Sequence, residues 1–389
     1  MSTLAKVSKG RIDSIDLVRG VVMVLMTLDH VRLCVNSSDP GDLTQTTFAL
    51  FMTKWITHFC APTFVFLAGA SAYLFEQRSS CESHAKRKAM VSRFLWTRGL
   101  WLIFLELTVI SFGWYFGPGL LFQVIWVIGA GMLILSMLVY APRLLTMMIG
   151  IIMIVAHNLL DSFTPSTCDF LWSLIHQLRY FEISANFEVG VEYPLIPWIG
   201  VMFVGYGSGA LWEMNEMRRR RILVTLGGAL TITFVLLRWL NTYGDPFPWK
   251  PQSNFLMTAA SFLNCHKCPP SLMYLLMTIG PLFLTLACFN KSVPAMLRPV
   301  VVLGRVPLFY YLLHLYVIFL VVIGLSWIQT GDPWFSRPQN IDNWGDKYGL
   351  GLTGIYAMTA CVVVFMYFIS RWYQEIKKRN PSIWWLKYL

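Results

Sequence analysis

Apolar residues along this 389-residue chain come in runs of about 20, separated by short polar stretches. A run of that length satisfies its own backbone as a helix and crosses the hydrocarbon core of a bilayer. Such runs predict ten transmembrane helices, at 15–35, 55–75, 94–114, 119–139, 144–160, 195–212, 222–240, 271–289, 300–322 and 350–370. The predicted fold class is an all-α integral membrane protein, a polytopic bundle forming one unit over 1–389. No soluble domain, low-complexity linker or repeat period interrupts it. The first run is long, charged and without a small-residue cleavage pattern, so it is expected to be kept as the first helix.

Basic residues orient the bundle. With a cytoplasmic N-terminus, the inner stretches hold Lys6, Lys9 and Arg11, the cluster between 78 and 93, Arg143, Arg218 to Arg221, Lys291, Arg298 and five more in the tail. The longer opposite loops hold Lys54, Arg179, Lys250, Lys267, Arg337 and Lys347. This positive-inside bias predicts that both termini are cytoplasmic. Composition agrees: 56% of residues are hydrophobic and 13% are charged, where soluble domains have roughly 25% charged. The net charge of +11 then follows from topology, and no nucleic-acid partner is expected. The expected location is a cell membrane, with lipid as surroundings and a homodimer left open.

Polar residues inside apolar runs change the picture, because each charge near a helix centre costs roughly 2.5–3.5 kcal/mol on insertion scales. "LMTLDHVRLCV" places Asp29, His30 and Arg32 in the outer half of the first helix. His58 in "WITHFCAP", Glu106 and His314 in "FYYLLHLYV" fall at a similar depth on three other helices. Asp16, Arg19, Met23, Met26 and His30, spaced by 3, 4, 3 and 4, form one stripe within about 40° of a line. Asp29 points about 100° away from His30 and is placed to pair with Arg32 at i+3.

Histidine suits proton transfer near neutral pH, so His30 and His314 are the leading catalytic candidates, followed by Asp29 and His58. Glu106 is expected to partner a histidine or arginine. His84, His157, His176 and His266 fall in loops or helix ends and receive no role. At the cytoplasmic helix mouths, Arg19, Arg98 and Arg305 could hold phosphate groups, with Arg305 on the same predicted helix as His314. Cys265 and Cys268 have the CxxC spacing of redox and zinc motifs, but no second pair stands nearby to complete a metal site, and no metal is expected. Cys265 and Cys268 in "NCHKCPP" are expected to form a local disulfide. Gly205 and Gly209, and Ala61, Ala68, Gly69 and Ala72, are spaced for close helix packing. Loop tryptophans, among them Trp172, Trp249, Trp327, Trp334 and Trp344, read as interfacial anchors.

"RIDSIDLVRGVVMVLMTLDHVR", "THFCAPTFVFLAGASAYL", "YPLIPWIGVMFVGYGSGAL", "KCPPSLMYLLMTIGP" and "LGRVPLFYYLLHLYVIFL" occur in this order. Together they resemble the catalytic domain of the heparan-alpha-glucosaminide N-acetyltransferase family and its bacterial relatives. The resemblance implies a transmembrane acyltransferase. Acetyl-CoA or another acyl-CoA would serve as donor substrate, with no permanently bound cofactor. The acceptor would be an amino sugar or cell-envelope glycan on the outer face. Asp16, Arg19 and Gly20 match the family's "SIDLVRG" segment, which with Arg98 and Arg305 would serve the CoA. The family's active-site asparagine falls on His30. Its catalytic loop histidine has no counterpart in 36–54, and His314 matches a late-helix histidine. A proton-coupled transporter, or a flippase of a sugar or lipid-linked sugar, is the alternative that buried ionisable groups leave open, although no inverted repeat is found.

Overall fold

The computed structural model describes residues 12–36, 39–79, 83–165, 167–184, 187–290, 293–335, 347–380, 382–383 and 386. Lys6, Lys9, Arg11, Lys291, Arg337, Trp344 and Lys387 lie outside the described residues. The helices, in order, begin with α1 (Asp13–Val35), α2 (Phe48–Thr57), α3 (Cys60–Arg78), α4 (His84–Leu105) and α5 (Ser111–Tyr115). Next come α6 (Val124–Leu138), α7 (Arg143–Ala156), α8 (Asp169–Ile175), α9 (Leu195–Ser208) and α10 (Glu216–Leu240). The last are α11 (Phe255–Leu263), α12 (Leu272–Cys288), α13 (Arg298–Gly304), α14 (Pro307–Thr330) and α15 (Leu352–Arg379).

Among the described residues, seven helical stretches are long and apolar enough to cross a membrane. They are Phe48–Arg78, His84–Tyr115, Arg143–Leu160, Leu195–Glu213, Glu216–Leu240, Pro307–Thr330 and Leu352–Arg379. Each overlaps a predicted run. α1 follows its predicted run but carries more charge, and α6 and α12 are shorter apolar helices. Exposed apolar side chains line α7, α10, α14 and α15, among them Ile152, Trp239, Leu320 and Phe368. A lipid environment covers such faces without cost.

Three departures from the predicted pattern have local causes. The run 55–75 is two helices that meet at His58 and Phe59; Pro62, which has no N–H, falls in the first turn of α3, where none is needed. The run 300–322 breaks at Arg305 and Val306, because the residue before a proline avoids helical backbone and Pro307 starts α14. Arg305 and His314 are therefore on different helices. The run 119–139 starts as a strand, β1 (Gly119–Phe122), which pairs parallel with β3 (Phe187–Val191), itself antiparallel to β2 (Arg179–Ser184). This small sheet caps one end of an otherwise helical fold.

The bundle is knit at glycines. α1 packs along α13, α14 and α15. At the α1–α13 crossing a Cβ on Gly20 would strike the Val300 carbonyl, and one on Gly304 would strike the Asp16 carbonyl. The α3–α9 crossing repeats the device, with Gly69 against the Met202 carbonyl and Gly205 against that of Phe66. Backbone contacts this close gain dispersion energy where no hydrophobic effect operates between helices.

A buried arginine that the hydropathy pattern hides organises the segment between α10 and α12. Arg238 donates to the carbonyls of Phe247, Ser261, Phe262 and Asn264 and lies 3.6 Å from Asp245. Asp245 in turn accepts from the His266 amide at 3.0 Å and the Ser271 hydroxyl at 2.7 Å. These bonds, and not a disulfide, hold the 265–271 turn. Cys265 and Cys268 are both free thiols, and burial raises both above the ordinary thiol range, Cys268 to about 12.

Gly304→Val should force the α1–α13 backbones apart, costing on the order of 2 kcal/mol or more. Less monodisperse protein should be recovered in detergent, at a lower Tm. Gly324→Ala, at a position with open space around it, should leave both values unchanged. Size-exclusion chromatography with a thermal ramp reads both, and a fully stable Gly304→Val variant would mean that this crossing is not tight.

Candidate active site

α1 and α14 run side by side, and their packing brings together two histidines 284 residues apart. His30 Nδ1 and His314 Nε2 are 2.8 Å apart, with ring centroids at 5.0 Å and planes within 21°. His314 is fully buried, and its Nδ1 lies 2.6 Å from the Tyr311 carbonyl and 3.0 Å from that of Tyr310. A carbonyl can only accept, so His314 Nδ1 carries the proton. With both rings neutral, His314 Nε2 is then an acceptor and His30 Nδ1 must donate to it. His30 Nε2 is left with a free lone pair, the state a general base requires. Trp114 meets the His30 ring edge-on, with centroids 4.8 Å apart, and helps fix its orientation.

His30 lines a chamber of about 70 Å³ with Asp29, Trp114, Gln123, Glu192, Tyr193, Lys267 and Tyr311. Asp29 accepts from Arg32 at 2.9 Å, the pairing its spacing suggests. Glu192 accepts from Gln123 at 2.7 Å and from Tyr180 at 2.6 Å. Lys267 reaches in from the 265–271 turn, with its ammonium 5.7 Å from the centre of the Tyr193 ring. Burial disfavours that ammonium, but Asp29 foremost, with Tyr274, Cys268 and Glu192, outweighs it and raises its pKa above the ordinary lysine value. The chamber is therefore polar and strongly structured by charge.

A second cavity, of about 360 Å³, lies on the other side of Phe64, Val124 and Tyr311, which line both spaces. Its walls are mostly apolar, including Met23, Phe75, Leu102, Ile128 and Leu308, and Arg19, Arg98, Arg305 and Lys377 line it as well. Arg19 reaches Ser71 Oγ at 2.5 Å and Asp16 at 3.6 Å. Arg305 reaches Asp13 at 3.0 Å and Asp16 at 3.7 Å, so the buried Asp16 carboxylate joins two of the arginines. The stripe Asp16, Arg19, Met23, Met26, His30 thus runs past both cavities: Arg19 and Met23 line the larger, Met26 and His30 the smaller.

Two of the residues singled out from sequence stay apart. His58 is buried at the α2–α3 junction, outside both linings, with its ring beside Tyr274 and its carbonyl accepting from the Tyr274 hydroxyl at 2.7 Å. Glu106 accepts from the Trp126 amide at 2.7 Å and so satisfies the N-terminus of α6, in place of the expected histidine or arginine. Sequence reasoning missed Lys267, Glu192 and Tyr311 as chamber residues. Lys267 offered one signal, a cation in a loop that the charge bias leaves poor in them.

These features define an integral membrane protein with a histidine pair beside the smaller of two neighbouring cavities. Residues 11–239 match the family described as heparan-alpha-glucosaminide N-acetyltransferase, catalytic, and the chain belongs to that family. Membership gives the general class, a transmembrane acetyltransferase. No curated protein matches the chain. The match takes in His30, Arg19 and Arg98, while Arg305, His314 and Lys267 lie beyond it and join the site through the fold.

Because Asp29 faces Lys267 across the chamber, Lys267→Met should destabilise the wild-type protein more than it destabilises an Asp29→Asn variant. A double-mutant cycle on thermal unfolding in detergent should give a coupling of about 1–2 kcal/mol. A coupling of zero would mean that Asp29 is neutralised by Arg32 alone.

Proposed function

We propose that the protein transfers an acyl group, foremost acetyl, from cytoplasmic acyl-CoA to an amine or hydroxyl of an envelope sugar on the opposite face. The observation that carries this reading is the free Nε2 of His30, backed by His314, in a chamber separated from an arginine-lined cavity by three side chains. In this orientation the N-terminus and the Arg19 end of α1 face the cytoplasm of a bacterial inner membrane, as the basic residues favour, and ten spans cross the bilayer.

Arg19, Arg98, Arg305 and Lys377 suit the phosphates of CoA, and the apolar walls between them and Tyr311 suit a pantetheine arm. The thioester would meet the acceptor near Tyr311. A neutral acceptor nitrogen, or a hydroxyl oxygen, attacks the thioester carbonyl; its proton passes to His30 Nε2, the C–S bond breaks and CoA leaves as thiolate. The thiolate then takes up a proton, and His30 returns to its neutral form. His314 accepts from His30 Nδ1 throughout, which holds the ring and stabilises the transient imidazolium. Asp29, Glu192 and Lys267 give the chamber both signs of charge, which suits the reacting end of a polar sugar and leaves the rest of the glycan outside.

Purified protein given acetyl-CoA and amino sugars such as glucosamine should release free CoA. His30→Ala should lower that rate by about 100-fold or more, the ordinary contribution of a general base. His314→Gln should lower it less, since the base remains but loses its fixed partner. Intact acetyl-CoA with every acceptor, alongside proton-dependent sugar uptake in proteoliposomes, would favour the transporter reading.

Arg98→Ala should raise the KM for acetyl-CoA by about tenfold with kcat little changed, the mark of binding that is equal in ground and transition states. Steady-state kinetics against acetyl-CoA reads both values, and a fall in kcat alone would place Arg98 outside donor binding.

A further inference from the structure

We propose that His157, Asp161 and His176 form a binding site for a zinc ion, away from the histidine pair, that staples the end of α7 and α8 to the start of α12. His157 opens the 3-10 turn that ends α7, Asp161 follows it by four residues, and His176 lies just past α8. One ligand-type atom from each residue lies within 4.8 Å of the others. His176 Nε2 is 3.0 Å from Asp161 Oδ1, and the His157 and His176 ring centres are 5.7 Å apart.

The second observation is an unmet demand for partners. His157 is 2% exposed and His176 1%, yet both nitrogens of His157 and Nδ1 of His176 have no hydrogen-bond partner among the described residues. Leaving such buried atoms without partners costs stability, and folded proteins satisfy nearly all of them. A cation would take a lone pair from one nitrogen of each imidazole and one from the carboxylate, which would give the buried His157 ring a polar partner. Two imidazoles and a carboxylate are one of the donor sets of three-ligand zinc sites. Zinc at about 2.0–2.1 Å from each donor asks for donor separations near 3.3 Å, so the ligand atoms, within 4.8 Å of one another, must draw closer on binding. The Asp161 side chain is 27% exposed, so water can take the fourth position.

The surroundings support the carboxylate in that role. Asn158 donates to Asp161 Oδ2 at 2.8 Å, which leaves Oδ1 turned to the histidines. The same Asn158 accepts from the Leu272 amide at 3.0 Å through its own oxygen. An ordered outer partner of this kind fixes a ligand and tunes its metal. Through Asn158, occupancy of the site would reach the first residue of α12 and the adjacent turn that carries Lys267. The spacing of the three ligands gave no hint of this in the sequence, because the loop between Asp161 and His176 closes the site only in three dimensions.

The test uses the full chain in detergent, stripped with EDTA and desalted, then titrated with cobalt as a spectroscopic stand-in and displaced with zinc. The expected result is one metal per chain. Cobalt should show the visible bands of a tetrahedral site without sulfur charge-transfer absorption, which separates this cluster from Cys265 and Cys268. His157→Gln and His176→Gln should each weaken binding by about tenfold or more and abolish the rise in Tm that zinc gives the wild type. X-ray absorption of zinc-loaded wild type, which needs no variant, should show two imidazoles and no sulfur. Absence of stoichiometric binding to wild type, sulfur ligation, or unchanged binding in both variants would overturn the proposal.

Discussion

Everything in this molecule is referred to the close approach of α1 to α13 and α14. Where Gly20 and Gly304 cross, each backbone leaves room for the other's carbonyl neighbourhood and for nothing larger. In a bilayer the tails are as apolar as leucine, so helices are held by contact distance and by buried polar bonds. The glycine crossing supplies the first and the His30–His314 bond supplies the second, ten residues further along the chain from each glycine, on α1 and on α14. At the crossing itself the same packing brings Asp16 between Arg19 and Arg305. α1 therefore sets the spacing of both ends, of the arginine end against α13 and of the histidine end against α14.

The break between α13 and α14 gives this pair its shape. A continuous helix over 298–330 would carry Arg305 and His314 at a fixed rotation of nine residues. Pro307 stops α13 and restarts the helix, so Arg305 can turn toward α1's acidic first turn while His314 points at His30. The local irregularities elsewhere serve the same end of positioning. The Arg238–Asp245 hub is expensive to bury as charge, but its four carbonyl partners and its carboxylate satisfy it nearly completely. That hub holds the turn from which Lys267 enters the chamber.

Much of the helical content was legible because the hydrophobic runs are long and the signal they carry is strong. Some packing glycines were legible: Gly69 and Gly205, picked out by spacing alone, meet across one crossing, whereas Gly20 and Gly304 were not picked out. Helix interruptions were less so. Pro62 and Pro307 flag breaks that hydropathy averages away, and the strand at Gly119–Phe122 is as apolar as the helix it precedes. At the site, shared depth brought forward His30 and His314, which the fold makes neighbours, and the same rule gathered His58 and Glu106, which the fold spends on a helix junction and a helix N-terminus. Depth fixes one coordinate of three, and rotation about each helix decides the rest.

Residues contributed by loops were the least legible, for a physical reason. Lys267, Glu192 and Gln123 carry no periodicity, and their direction depends on bonds to distant partners such as Asp245 and Tyr180. A site made of helical residues alone would present one stripe, His30 above Met26 and Met23, to whatever enters. The loop residues turn that stripe into a chamber with carboxylates and a cation placed around a free imidazole nitrogen. A nitrogen with a lone pair is common in proteins; one whose other nitrogen is tied to a second buried ring, itself tied to two carbonyls, is not free to exchange its role. The helices supply that fixity, and the loops supply what it acts upon.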